Sequence, residues 1–203
     1  LKASDEGAGV RHLIMGPDWS PPDIDRNSAV LPQHLWLIGE VADALRLMDV
    51  AMAHGRPSAA LTYSRANALR YMGRTAEATA EYERCLQISP EDAHAHWSLA
   101  YHEKASPPGS RIPRMETLLS AQKADSPGRP FLHYALYKEH EDAGNLDQAW
   151  DHLVAGAKAR RTEVRYNPAR EAEGFASLEA MTPPGFLADR PAYSRDGAVP
   201  IFI

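Results

Sequence analysis

Residues 59–90, AALTYSRANALRYMGRTAEATAEYERCLQISP, read as two short amphipathic helices folded back on each other at Gly73. The helices are expected over 59–72 and 76–88, with Thr75 placed to cap the second and Ser89-Pro90 to end it. In the second helix Ala78, Tyr82, Cys85 and Leu86 fall at i, i+4, i+7 and i+8, which makes one apolar stripe. Small residues at two of its contact points let a neighbouring backbone come close. The stripe therefore predicts helix packed on helix.

The unit recurs. Gly39 and Gly73 stand 34 residues apart, as do Ala44 and Ala78, and Gly144 follows Gly73 by two such periods plus three inserted residues. The stripe reappears as Ala44/Met48/Ala51/Met52 and as Ala149/Leu153/Gly156/Ala157. A fixed period near 34 with a turn glycine and a following alanine resembles the tetratricopeptide repeat. The expected fold is all-α, a right-handed superhelical solenoid of helix-turn-helix repeats.

Working outward, residues 1–27 hold Gly7, Gly9, Gly16, Pro17 and Ser20-Pro21-Pro22 and are expected to form an irregular arm. The array is expected over 28–163, in repeats 28–57, 58–89, 90–128 and 129–163. The leading repeat has a first helix near 31–38, shortened by Pro32, and a second over 40–53, stopped by His54-Gly55-Arg56-Pro57. The third opens on Ser89-Pro90-Glu91-Asp92, a serine cap with a proline and acids in the first turn, and predicts helices at 93–105 and 113–124. It is the most degenerate, since Arg114 and Gln122 fall on its stripe. The fourth recovers the pattern over 130–143 and 146–159, around Gly144-Asn145. Asn167-Pro168 then starts a further helix to about Met181, placed to cap the open end of the stack within 164–188. A polar linker follows, and Val199-Pro200-Ile201-Phe202-Ile203 reads as a short strand-like tail.

Composition narrows the functional classes. With 44% hydrophobic and 24% charged residues the chain has the balance of a globular protein rather than a disordered one. A net charge of −5 argues against a nucleic-acid binder, which needs a clustered basic surface. No apolar run approaches a membrane span, so no membrane partner is expected. A single cysteine cannot form an internal disulfide and fits a reducing, cytoplasmic setting. Cys85 occupies a stripe position and reads as a buried structural thiol. The chain opens on Leu1 rather than Met, so a fragment or a processed product is expected.

The spacings carry no catalytic motif. His94/His96/His102 and His133/His140 miss the i, i+4 pairing that puts two imidazoles on one helix face, so neither a metal nor a cofactor is expected in this chain. His102-Glu103 and Glu139-His140-Glu141 read as solvated faces, because adjacent residues on a helix point apart. What remains is the groove that the first helices of such an array would line. The residues expected to face it are Tyr63, Asn67, Arg70 and Tyr71, then His94, Trp97, Ser98 and Tyr101, then Phe131, Tyr134, Lys138 and Glu141. Aromatics between polar groups suit a protein or peptide partner, with self-association as the alternative. For Trp97 and Phe131, packing against the next repeat is an equal reading.

The C-terminal part resembles the region that follows the repeats in bacterial sulfotransferases carrying tetratricopeptide repeats. The resemblance rests on Tyr166-Asn167-Pro168-Ala169-Arg170 through Ala180, on Thr182-Pro183-Pro184, and on Pro200-Ile201-Phe202-Ile203. It implies that residues 189–203 are the linker and first strand of a catalytic domain that would bind 3′-phosphoadenosine 5′-phosphosulfate beyond Ile203. No catalytic or cofactor residue of that family has a counterpart here. The chain is expected to be a non-catalytic interaction module, or else to serve the enzyme in substrate-protein recognition or dimerisation.

Overall fold

Among the described residues, five glycines enter the left-handed backbone region, and four of them lie between two helices. Those four are Gly39, Gly73, Gly109 and Gly144, with φ of 86°, 73°, 76° and 80°. The computed structural model describes residues 2–16, 23, 27, 30–55, 57–164, 166–182 and 184–186. It divides into two compact units, Leu1–Glu163 and Val164–Ile203.

Ten helices and no strand occur among the described residues. The first unit holds α1 (Lys2–Met15), α2 (Val30–Leu37), α3 (Val41–His54), α4 (Ala59–Tyr71) and α5 (Thr75–Ile88). It continues with α6 (Ala93–His102), α7 (Ile112–Ala121), α8 (Arg129–Asp142) and α9 (Leu146–Glu163). Gly109 is the turn glycine of the third hairpin, so the inserted residues are shared between the two intervals around it. The hairpins are α2/α3, α4/α5, α6/α7 and α8/α9. This is an all-helical solenoid of tetratricopeptide type.

The stripes settle why these helices stack. Ala78, Tyr82 and Cys85 have no exposed surface, and Leu86 is buried beside them against Leu45 of α3, Leu69 of α4 and Leu99 of α6. Ala44, Met48 and Ala51 pack in the same way with Leu35 of α2 and Leu61 of α4. A third cluster joins Ala93 and Ala100 of α6, Met115 of α7 and Leu132, Ala135 and Leu136 of α8. Each cluster draws on at least three successive helices, so no hairpin buries its apolar face alone. The stripe of α9 is thinner: Ala149 and Gly156 are buried, Leu153 is half-buried and Ala157 is exposed. Cys85 is structural, as expected: its thiol lies 3.3 Å from the Ala59 carbonyl oxygen, and burial pushes its pKa up.

Several local expectations are corrected. The N-terminal arm is helical over Lys2–Met15. Each glycine in a helix costs about 1 kcal/mol, but Val10, Ile14 and Met15 offset that cost by joining the cluster around Leu35 and Met48. Arg11 adds an ion pair to the buried Asp43 of α3, which also pairs with Arg46. Thr75 is no cap: it is the first helical residue, and its hydroxyl donates to the Gly73 carbonyl at 3.3 Å. The α4 cap is Ser58, accepting from the Leu61 amide at 3.1 Å. At α6 the cap is Asp92, accepting from the Ala95 amide at 3.0 Å, while the Ser89 hydroxyl turns to Glu91. An aspartate immediately before the helix outcompetes a serine three residues earlier.

The third hairpin departs most from the pattern. Helix α7 buries only Met115 and packs mainly on α8, not on its own partner α6. Two arginines hold it from the side. Arg114 makes a two-pronged contact with Glu83 of α5 at 2.8 and 3.0 Å. Arg111 reaches the Glu103 carbonyl at 2.8 Å and the Glu139 carboxylate at 3.1 Å. Glu139 and His140 are therefore not a solvated face: both are buried, and burial pushes the Glu139 pKa up.

In the second unit α10 (Pro168–Met181) begins where expected, with Asn167 accepting from the Ala169 and Arg170 amides at 3.0 and 3.3 Å. None of its residues is buried. The linker and the expected strand at 199–203 lie outside the described residues.

Candidate functional site

A cleft of about 580 Å³ opens between the first helices of the first two hairpins. Pro32, Gln33, Trp36 and Leu37 of α2 form one wall, and Tyr63, Ser64, Asn67 and Arg70 of α4 form the other. Pro32 sits within the first turn of α2, where it needs no amide partner. Trp36 and Tyr63 are half-buried and pack on the core beneath. Tyr71 packs against Trp36 at a tilt, with 5.3 Å between ring centroids, and extends that wall.

The cleft floor is hydrogen-bonded. Tyr82 of α5 donates to Asn67 Oδ1 at 2.6 Å, and the Tyr63 hydroxyl lies 3.0 Å from Ser98 Oγ. Burial pushes the Tyr82 pKa up to about 12, so the hydroxyl keeps its proton. Asn67 keeps its amide hydrogens for a ligand, since only its oxygen is engaged. Arg70 is exposed and, among the described residues, has no carboxylate partner. It is the charged group of the cleft available to a ligand.

The other expected groove residues are not brought to this cleft. Ser98 is buried and held by Tyr63. His94 and Trp97 of α6 pack on Phe131 of α8, with ring centroids 4.0 and 5.7 Å apart, and Tyr101 lies 5.7 Å from Trp97. This aromatic row joins α6 to α8, so packing is what Trp97 and Phe131 do. Tyr134 covers Gly156 of α9, where an added Cβ would stand 3.1 Å from its ring. Lys138 is spent on Glu141 at 3.2 Å and Asp142 at 2.5 Å, and those partners raise its pKa. Glu141 also accepts from the Tyr137 hydroxyl at 2.9 Å. The α2 wall was missed because Pro32 and Trp36 read only as parts of a short, degenerate helix.

A second cluster is polar. Glu116 of α7, His140 of α8 and His152 of α9 bring possible ligand atoms within 4.8 Å of one another. His140 and His152 stack with centroids 5.4 Å apart, and Nδ1 of His152 lies 3.1 Å from Nδ1 of His133. Burial, with the adjacent His152, brings the His133 pKa down to about 4. Burial also lowers His140 and His152, so all three rings are neutral near pH 7. Spacing rules cannot find this group, because its members lie on three helices. No described helix is long and apolar enough to cross a membrane.

Solved structures share the fold. The crystal structure of MamA superposes with a TM-score of 0.57 at 15% identity, over 79% of this chain and 90% of that one. A putative kinesin light chain from Podosopora anserina with nearly identical TPR-like repeats gives 0.60 at 15% identity, over 81% of this chain and 90% of that one. At such identity the likeness is one of fold. No protein-family model matches the chain, and no curated protein sequence matches it.

Proposed function

We propose that the helical array is a protein-interaction module and that the cleft between α2 and α4 receives a peptide segment. The segment carries an acidic group, met by Arg70 and the Asn67 amide, beside an apolar side chain that settles between Trp36 and Tyr63. The observation that carries this reading is the unpaired Arg70 on the wall of a cleft whose opposite side is aromatic. A cleft of this volume holds a few side chains rather than a folded surface, so the occupant is an extended or single-helix stretch. Panning a random peptide library on the purified chain tests it. Selected peptides should pair an acidic residue with an apolar neighbour, and Arg70→Ala should weaken them about tenfold, as loss of a charge-assisted hydrogen bond does. Enrichment of basic peptides, or binding indifferent to Arg70 and Trp36, would overturn the reading.

A second reading makes the array the front part of a sulfotransferase, serving substrate-protein recognition or dimerisation. The Asn167-capped helix α10 supports it, because the sequence resemblance implies a helix at that place. Sulfate transfer by the protein isolated from its native source would test it.

A further inference from the structure

Three ligand-bearing side chains meet where α7, α8 and α9 pack. Glu116, His140 and His152 each offer one donor atom, and these lie within 4.8 Å of one another. His140 is only 6% exposed, and neither of its ring nitrogens has a hydrogen-bond partner. Buried polar groups are nearly always paired, and a ring with two unpaired nitrogens loses its hydration without return. An ion would pair one of the two nitrogens. His152 is steadied by the 3.1 Å contact between its Nδ1 and Nδ1 of His133, so that Nε2 is the nitrogen left for a ligand bond. Ligating imidazoles are typically oriented by such an outer hydrogen bond. Glu116 is exposed and, among the described residues, makes no hydrogen bond or ion pair, so its carboxylate is free to swing.

We propose that Glu116, His140 and His152 bind a divalent transition ion of the zinc type, with water completing the fourth position. Two imidazole nitrogens and one carboxylate oxygen form a donor set that zinc accepts with one open position. Calcium and magnesium prefer six or more oxygen ligands and suit it poorly. Tetrahedral bonds of about 2.1 Å place ligand atoms about 3.4 Å apart, so the triad must close from its present spread. The exposed Glu116 and the half-buried His152 supply that movement around His140, which is fixed in the core. Once bound, the ion ties α7, which buries only Met115, to α8 and α9.

The test uses the chain freed of metal by dialysis against a chelator. Zn²⁺ is titrated by calorimetry, and Co²⁺ is followed by visible absorption. One ion per chain is expected, with cobalt bands of a low-coordinate nitrogen and oxygen site and a rise in melting temperature on zinc addition. Glu116→Gln, at an exposed position that leaves the helical circular dichroism intact, should weaken Zn²⁺ by about tenfold or more, and His152→Ala by about a hundredfold. His34→Gln and His54→Gln, both at exposed histidines, should leave the titration unchanged. Absence of saturable one-to-one binding, or equal binding by Glu116→Gln and His152→Ala, would overturn the proposal.

Discussion

Tyr82 donates its hydroxyl to Asn67 across 2.6 Å, so the wall of the cleft is tied to a fully buried ring of the next helix. The two ends of this bond are not equivalent. Removing the donor with Tyr82→Phe leaves an Asn67 oxygen that water can reach, and should cost about 1 kcal/mol. Asn67→Ala removes the main acceptor of the buried hydroxyl, leaving only the nearby Ser98, and should cost about 1–3 kcal/mol. Urea unfolding of both variants checks the order, and a costlier Tyr82→Phe would contradict this account of the bond.

The same geometry separates residues that look alike in the sequence. Arg70 is unpaired, whereas Lys138 is neutralised by Glu141 and Asp142. Arg70→Ala should therefore weaken a selected acidic peptide about tenfold, and Lys138→Ala should leave it within about twofold. Fluorescence anisotropy with both variants decides the matter. Equal losses would place the peptide across α8 as well.

Close packing gives a third expectation. Ala78→Leu inserts bulk at a site with no exposed surface, and Gly156→Ala drives a Cβ to 3.1 Å from both His133 and Tyr134. Ala78→Leu should cost about 1–3 kcal/mol by overpacking, and Gly156→Ala less, because alanine's helix propensity offsets about 1 kcal/mol of the crowding. Gln87→Leu, on the exposed face of α5, should change stability by less than about 0.5 kcal/mol. Glu83 is no such neutral site, since it holds Arg114 in a two-pronged contact. Thermal melts showing equal shifts at all three positions would refute the assigned packing faces.

His96 supplies a pH expectation. It is buried on α6, facing Glu83 of α5, Arg114 of α7 and Asp92 before its own helix, and its Nε2 lies 2.9 Å from the Pro90 carbonyl oxygen. Burial lowers its pKa below the ordinary value of 6.5. As pH falls through 6.5 the unfolded chain takes a proton that the folded chain refuses, so stability falls until the folded pKa is reached. The slope from this residue is at most about 1.4 kcal/mol per pH unit. His96→Gln should flatten the decline in melting temperature between pH 7 and 5, and an unaltered slope would assign the effect to other groups.

Period and stripe made the array legible, because a turn glycine and a small contact residue are needed in every hairpin and therefore repeat. Tyr63, Asn67 and Arg70 were legible as one helix face. The partners of that face were not, since Pro32 and Trp36 belong to a hairpin whose pattern is worn. Lys138 and Ser98 have the polarity of readers, and only tertiary contacts show them already engaged. Helix α1 was missed because glycine lowers helix propensity, whereas its formation depends on burying Val10 and Ile14 against a distant segment. The Glu116, His140 and His152 group has no sequence period at all.

The attachment of α7 has a mechanical consequence. With one buried side chain and its main packing on α8, this helix can lift as a flap while α6 and α8 stay joined through Phe131 and Trp97. It is held by Met115 and by Ile112, Leu118 and Leu119 packed on the core, and from the side by the contacts of Arg111 and Arg114 with Glu139 and Glu83. The Arg114 pair is about one-third exposed on each side, so added salt screens it. The flap should open more often as ionic strength rises, and its amides should exchange with deuterium sooner than those of α5 or α8. The array then carries a local hinge whose opening rate depends on the medium as well as on the core.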